Sequence, residues 1–180
     1  MKKYLDIISV LMYNNYNALV STLTRLKKGN FMRILGIDYG DARVGVAVSD
    51  LLGFMASGVG TIQNKGNKAL FGELQKILDE YKPEKIVIGL PKNMDGTEGF
   101  RVDATKEFAK KLEKIYNGDI IFVDERLTTV GATRYLDTTN THGKKRKAVL
   151  DTVSACLILE QYLNSQKWGA VAFSTDWRMS

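Results

Sequence analysis

Apolar and polar positions along the chain switch between a continuous run and a helical period. RILGI (33–37) and RVGVAV (43–48) are short apolar runs joined by a Gly/Asp turn, and they read as neighbouring strands. A third, Gly-rich apolar stretch from Phe54 to Ile62 completes a meander. NKGNK then punctuates the chain, and ALFGELQKILDEY places Leu70, Leu74, Ile77, Leu78 and Tyr81 on one face of a helix. Pro83 ends that pattern, and KIVIGL (85–90) is a continuously apolar run of the kind buried in parallel sheets.

PKNMDGTEG (91–99) has the composition of a loop, and a second helix is expected over roughly 102–116, with Val102, Phe108, Leu112 and Ile115 apolar. Asn117-Gly118 stops it, and DIIFVDE (119–125) is another buried strand. LTTVGATRYLDTT reads as a short helix, THGKKRKA as a basic loop and VLDTVSACLILEQYL (149–163) as the last helix. The order β-β-β-α-β-α-β-α predicts an α/β fold, a five-stranded mixed sheet with helices on both faces. Three parts are expected: a 1–31 extension, one domain over 32–166 and a 167–180 tail. Codons available to Lys28-Gly29-Asn30-Phe31 can spell a purine-rich, ribosome-binding-like stretch ahead of Met32. On that reading residues 1–31 lie upstream of the natural start, and an intact mass that included them would refute it.

Composition narrows the class little. The net charge of +6 is concentrated at the ends: residues 1–31 contribute +4 and 167–180 contribute +1, which leaves +1 for residues 32–166. Local clusters therefore say more about partners than the overall charge does. The single cysteine, Cys156, excludes an intramolecular disulfide and sits in an apolar helical run, as a structural thiol would. No apolar stretch reaches the roughly 18 residues of a membrane span. Asp6 and the Asn14, Asn15 and Asn17 cluster spoil a signal-peptide core. The expectation is a cytoplasmic protein without membrane association.

Candidate chemistry gathers in carboxylates. Ligands of open α/β sheets bind beyond the carboxyl ends of the parallel strands. Asp38 ends the first strand there, and Asp124 and Glu125 end the DIIFVDE strand. At about 100° per residue Asp151 falls on the stripe of Ala148, Ala155, Ile158 and Tyr162 that faces the sheet, with Glu160 on the opposite side. Converging carboxylates repel unless a cation neutralises them. Oxygen donors, without a thiolate at the edge and with one histidine in the chain, point to Mg²⁺ or Mn²⁺ and to metal-assisted phosphodiester hydrolysis.

Each acid also has a plain structural reading. Asp38 can cap the turn before Gly40, Asp151 can open a helix, and Asp124 and Glu125 can pair with Arg126. Asp41 and His142 read as turn and loop residues. Lys144, Lys145, Arg146 and Lys147 form either a solvated loop or a contact to a phosphate backbone. Arg43 and Arg126, beside the acids, can clamp a phosphate or neutralise their neighbours.

Four motifs, GIDYGDARVGVAVSD, IVIGLPKNMDGTEG, FVDERLTT and the KRKAVLD…ILEQYL ending, resemble in order and spacing the YqgF family (RuvX-type, Holliday-junction-resolvase-like) from Met32 to about Gln166. The resemblance implies a ribonuclease H-like fold and a metal-dependent nuclease processing the 5′ end of pre-16S rRNA. Its implied acids are Asp38, Glu125 and Asp151, with Asp124 or Asp95 as substitutes for Glu125. The fourth strand ends in Gly89-Leu90-Pro91 and offers no acid, so the longer Glu125 must reach back across one strand spacing, about 4.8 Å. The implied partner is structured RNA or branched DNA, bound by a monomer or a homodimer. Resolution of Holliday junctions and nucleic-acid binding with little catalysis are the alternatives. Sugar kinases and actin-like ATPases use a similar turn on ATP phosphate, but they need two enclosing domains.

Overall fold

The computed structural model describes residues 32–91, 99–124 and 143–168, with the side chains of the last helix described from Val149 to Gln166. Its strands are β1 (Ile34–Tyr39), β2 (Arg43–Ser49), β3 (Ala56–Gln63), β4 (Lys85–Leu90) and β5 (Asp119–Asp124). Its helices are α1 (Asn67–Tyr81), α2 (Phe100–Leu112) and α3 (Gly143–Trp168). One five-stranded sheet runs in the order β3-β2-β1-β4-β5. β1, β2 and β3 form an antiparallel meander, and β4 and β5 extend it in parallel with β1. This is the mixed sheet expected of a ribonuclease H-like fold.

Strand alternation divides the core into two layers. Leu35, Ile37, Val44, Val46, Ile86 and Ile88 pack against Leu70, Leu74 and Leu78 of α1 and Phe108 and Leu112 of α2. On the other face, Ala47, Val87, Ile121 and Val123 meet Ala155, Ile158, Leu159, Tyr162 and Leu163 of α3. β2 is buried almost throughout because both layers cover it. The periodicity of α1 is confirmed: Leu70, Leu74 and Leu78 are buried, and Ile77 and Tyr81 pack partly against them. α1 stops at Lys82, whose left-handed φ of 46° lets its N–H cap the Leu78 carbonyl just before Pro83.

Four boundaries differ from expectation. β3 begins at Ala56 rather than Phe54, because the Asp50 carboxylate accepts the N–H groups of Phe54 and Met55 at 2.6 and 3.1 Å and holds them in a turn. α2 covers Phe100–Leu112, not 102–116; the N–H groups of Lys114 and Ile115 reach back three residues to Lys111 and Leu112, tightening the exit into a turn. α3 starts at Gly143, so the run Lys144–Lys147 is helical backbone and not a loop. Lys and Arg are good helix formers, and no breaker lies between Gly143 and Val149. α3 also continues to Trp168, past the expected boundary at 166. The expected helix LTTVGATRYLDTT lies outside the described residues, as do Asp95, Glu125, Arg126 and His142.

Candidate metal-carboxylate site

β1 builds the site by alternation. Ile37 points to the α1/α2 layer, so Gly36 and Asp38 point to α3. Asp38 pairs across β1 and β2 with Gly45. A Cβ at Gly45 would collide with the backbone carbonyl of Asp151, and one at Gly36 would stand 2.7 Å from the Leu159 Cβ. Next to them, a Cβ at Gly58 would lie 2.5 Å from the Thr152 methyl. α3 therefore rests on strand positions that have no side chain, and this close approach sets Asp151 beside Asp38. The hydroxyls of Thr152 and Thr61, 2.9 Å apart, pin the same turn of α3 to β3.

The two acids feel each other. The Asp38 carboxyl is pushed up from the ordinary 3.8 to about 6, first by burial and then by the Asp151 carboxylate. The Arg101 charge and a hydrogen bond from the Ser154 hydroxyl pull the other way. Asp151 has a cation of its own: Arg43 Nε donates to its Oδ2 at 2.5 Å, with the two side chains 28% and 20% exposed. Asp41 is exposed in the turn, where its carbonyl accepts the Asn64 side-chain amide at 2.9 Å.

The structure brings Asp38, Asp151 and Arg43 together. β4 separates β1 from β5, and Leu90 at its end pairs with Asp124. Asp124 is half-buried at the end of β5, with its carbonyl accepting Gln161 Nε2 at 3.2 Å. Among the described residues no group of three His, Cys, Asp or Glu side chains gathers, and Glu125 is not among them. The donor set present is two carboxylates and a hydroxyl, all hard oxygen. Burial first and the Asp151 carboxylate second push the Asp38 carboxyl to about 6, and a divalent cation of the Mg²⁺ or Mn²⁺ kind held between the two acids would offset both effects.

Three residues of this site were not singled out from the sequence. Ser154 lies three residues after Asp151 on the same helix, a spacing that puts both on one face. Arg101 sits in the first turn of α2, and its charge reaches the Asp38 carboxyl. Gly45 could be found only from the strand register. Cys156 is half-buried with Sγ toward Gly58, and burial followed by the Glu160 charge pushes its thiol up, the opposite of an activated nucleophile.

Residues 32–165 match the model of a family described as "RuvX: Holliday junction resolvase". A Geobacillus sp. (strain WCH70) protein named "Putative pre-16S rRNA nuclease" is 46% identical over 138 residues, 76% of this chain and 100% of that protein. A protein of the same name from Ruminiclostridium cellulolyticum is 48% identical over 134 residues, 74% of this chain and 94% of its own. Among solved structures, Thermus thermophilus RuvC in complex with Holliday junction substrate aligns with a TM-score of 0.49 at 9% identity, over 75% of this chain and 95% of that one.

Proposed function

Because the chain belongs to the RuvX family of Holliday junction resolvases, we propose that it is a divalent-metal-dependent nuclease acting on structured RNA, with the 5′ end of pre-16S rRNA as its substrate. The observation that carries this reading is the convergence of Asp38 and Asp151 across the missing side chain of Gly45. The name borne by relatives that this chain covers almost end to end supports the RNA substrate.

In this reading Asp38 and Asp151 hold Mg²⁺ or Mn²⁺, with Glu125 following β5 as the third ligand. When bound, the metal supplies water activation and charge for the leaving oxygen. Ser154 donates to the Asp38 carboxylate and favours its ionised, ligating form, and Arg101 adds positive potential in the same direction. Arg43 and Arg126 contact the phosphate at the site, and Lys144, Lys145, Arg146 and Lys147 hold the strand through its backbone. In the same reading the protein works in the cytoplasm as a monomer or homodimer.

A second substrate, a four-way DNA junction, is favoured by the description of the matching family. Cleavage of a pre-16S leader RNA and of a four-way junction, each with Mn²⁺ and with EDTA, ranks the two. Metal-dependent RNA cleavage that disappears in the Asp38→Asn/Asp151→Asn double variant is the expected result. Activity that persists in the double variant refutes the site.

A further inference from the structure

Asp151 is already neutralised before any metal arrives. Arg43 Nε lies 2.5 Å from Oδ2, and both side chains are largely covered. A guanidinium keeps its charge at any physiological pH, so this pair places a fixed cation on the Asp151 carboxylate, beside Asp38. The Arg43 backbone is fixed, because its carbonyl accepts the Gly40 N–H at 2.9 Å and its position pairs with Gln63 of β3. Only the side chain has freedom to change partner.

We propose that Arg43 is the resident counter-ion of the acid pair: its guanidinium stands in for the metal at Asp151, yields the carboxylate when a divalent cation binds, and turns to the phosphate of the bound strand. This rests on the reading of Asp38 and Asp151 as cation ligands. A dication bound to the Asp151 carboxylate sits close to the guanidinium and repels it, whereas a phosphate diester offers the same planar fork a new anionic partner. Removing one partner from a covered ion pair strands the other; exchanging the guanidinium for a dication leaves neither acid stranded. The charge of the site is then carried by Arg43 in the free protein and shared between metal and substrate in the loaded one. The opposite role, Arg43 staying on Oδ2 to orient the carboxylate for the metal, carries the opposite sign: its loss would weaken metal binding.

Calorimetric titration of Mn²⁺ into the EDTA-stripped full chain separates these. Arg43→Gln is expected to bind Mn²⁺ roughly two- to fivefold tighter than the unaltered protein, the scale of a part-exposed ion pair. Arg43→Lys, which keeps a cation, should fall between them. Equal or weaker affinity in a folded Arg43→Gln protein overturns the inference. The second readout needs no folded glutamine variant. In ¹⁵N spectra the Arg43 Nε–H signal, assigned by its disappearance in Arg43→Lys, should move toward the position of a free arginine as Mg²⁺ saturates the site. A signal that stays put overturns the proposal as well. Absence of any Mn²⁺ binding by the unaltered protein sinks the cation-ligand reading itself, whereas Mn²⁺ binding abolished by Asp151→Asn but unchanged by Arg43→Gln sinks only the role of Arg43.

Discussion

Asp38 and Gly45 face each other in register across β1 and β2, and the backbone carbonyl of Asp151 occupies the space that a side chain at position 45 would fill. The acid pair is thus set by an absent methyl group as much as by the acids. Gly45→Ala should push α3 off the sheet at the turn that carries Asp151. A shift of about 1 Å at reacting groups costs on the order of 10²-fold in rate, and overpacking a close contact costs roughly 1–3 kcal/mol. Gly72→Ala is the control, since a Cβ there meets nothing within 4 Å. It should leave cleavage unchanged and gain about 0.5–1 kcal/mol as a helix-interior replacement. Urea melts alongside cleavage rates check both, and a fully active Gly45→Ala protein would contradict the packing argument.

The raised Asp38 carboxyl gives a stability prediction with a definite sign. Its folded-state value of about 6 lies above the ordinary 3.8, so between these pH values the folded protein binds more protons than the unfolded chain. Stability falls as pH rises through this window, and the whole penalty is present above about pH 6. The separation corresponds to roughly 2–3 kcal/mol. Metal-free Asp38→Asn should therefore melt higher than the unaltered protein at pH 7, and the difference should close by about pH 4. Saturating Mg²⁺ should narrow it at pH 7 by stabilising the protein that keeps the acid. Thermal melts at both pH values, with EDTA and with Mg²⁺, decide this; an unaltered protein that outlasts Asp38→Asn in EDTA at pH 7 would count against it.

Ser154 and Arg101 both lower the Asp38 carboxyl, and their removal should show in the acid limb of the pH–rate profile. Ser154→Ala takes away a hydrogen bond to a charged group, worth about 1.5–3 kcal/mol. The acid limb should move up by roughly one pH unit, with activity recovering as pH is raised. Arg101→Gln should shift it in the same direction and more strongly at low salt, because Arg101 is exposed and screened. A uniform drop in rate at every pH would assign both residues to some other task.

The sheet and the acid pair were legible for local reasons. Continuous apolar runs mark strands covered on both faces, and the helical stripe through Asp151, Ala155, Ile158 and Tyr162 correctly turned Asp151 to the sheet and Glu160 to solvent. What stayed hidden depends on contacts between distant segments. Gly45 matters only through a register that no single strand reveals, and Arg101 acts on Asp38 from the start of another element. The start of β3 was misplaced because one side chain, Asp50, captures two N–H groups that a strand would have used. The start of α3 was misplaced because a run of Lys and Arg suits a helix as well as a loop.

Gln161 offers a way to weigh the third acid without touching it. Its Nε2 donates to the carbonyl of Asp124, the last residue of β5, while its buried Oε1 has no hydrogen-bond partner among the described residues. The side chain therefore gains one hydrogen bond and leaves one acceptor desolvated, two effects of similar size and opposite sign. Gln161→Leu should change stability by no more than about 1 kcal/mol. If Glu125 is the third ligand, freeing the Asp124 carbonyl loosens the backbone that presents it. The turnover rate should then fall roughly tenfold, as when a partner that orients a ligand is lost. KM for the RNA should stay nearly constant, because the strand is held elsewhere. Glu125→Gln should cost far more in turnover, and adding Gln161→Leu to it should cost little further, since both act through one group. Additive losses in the double variant would place Gln161 outside the chain of residues leading to Glu125.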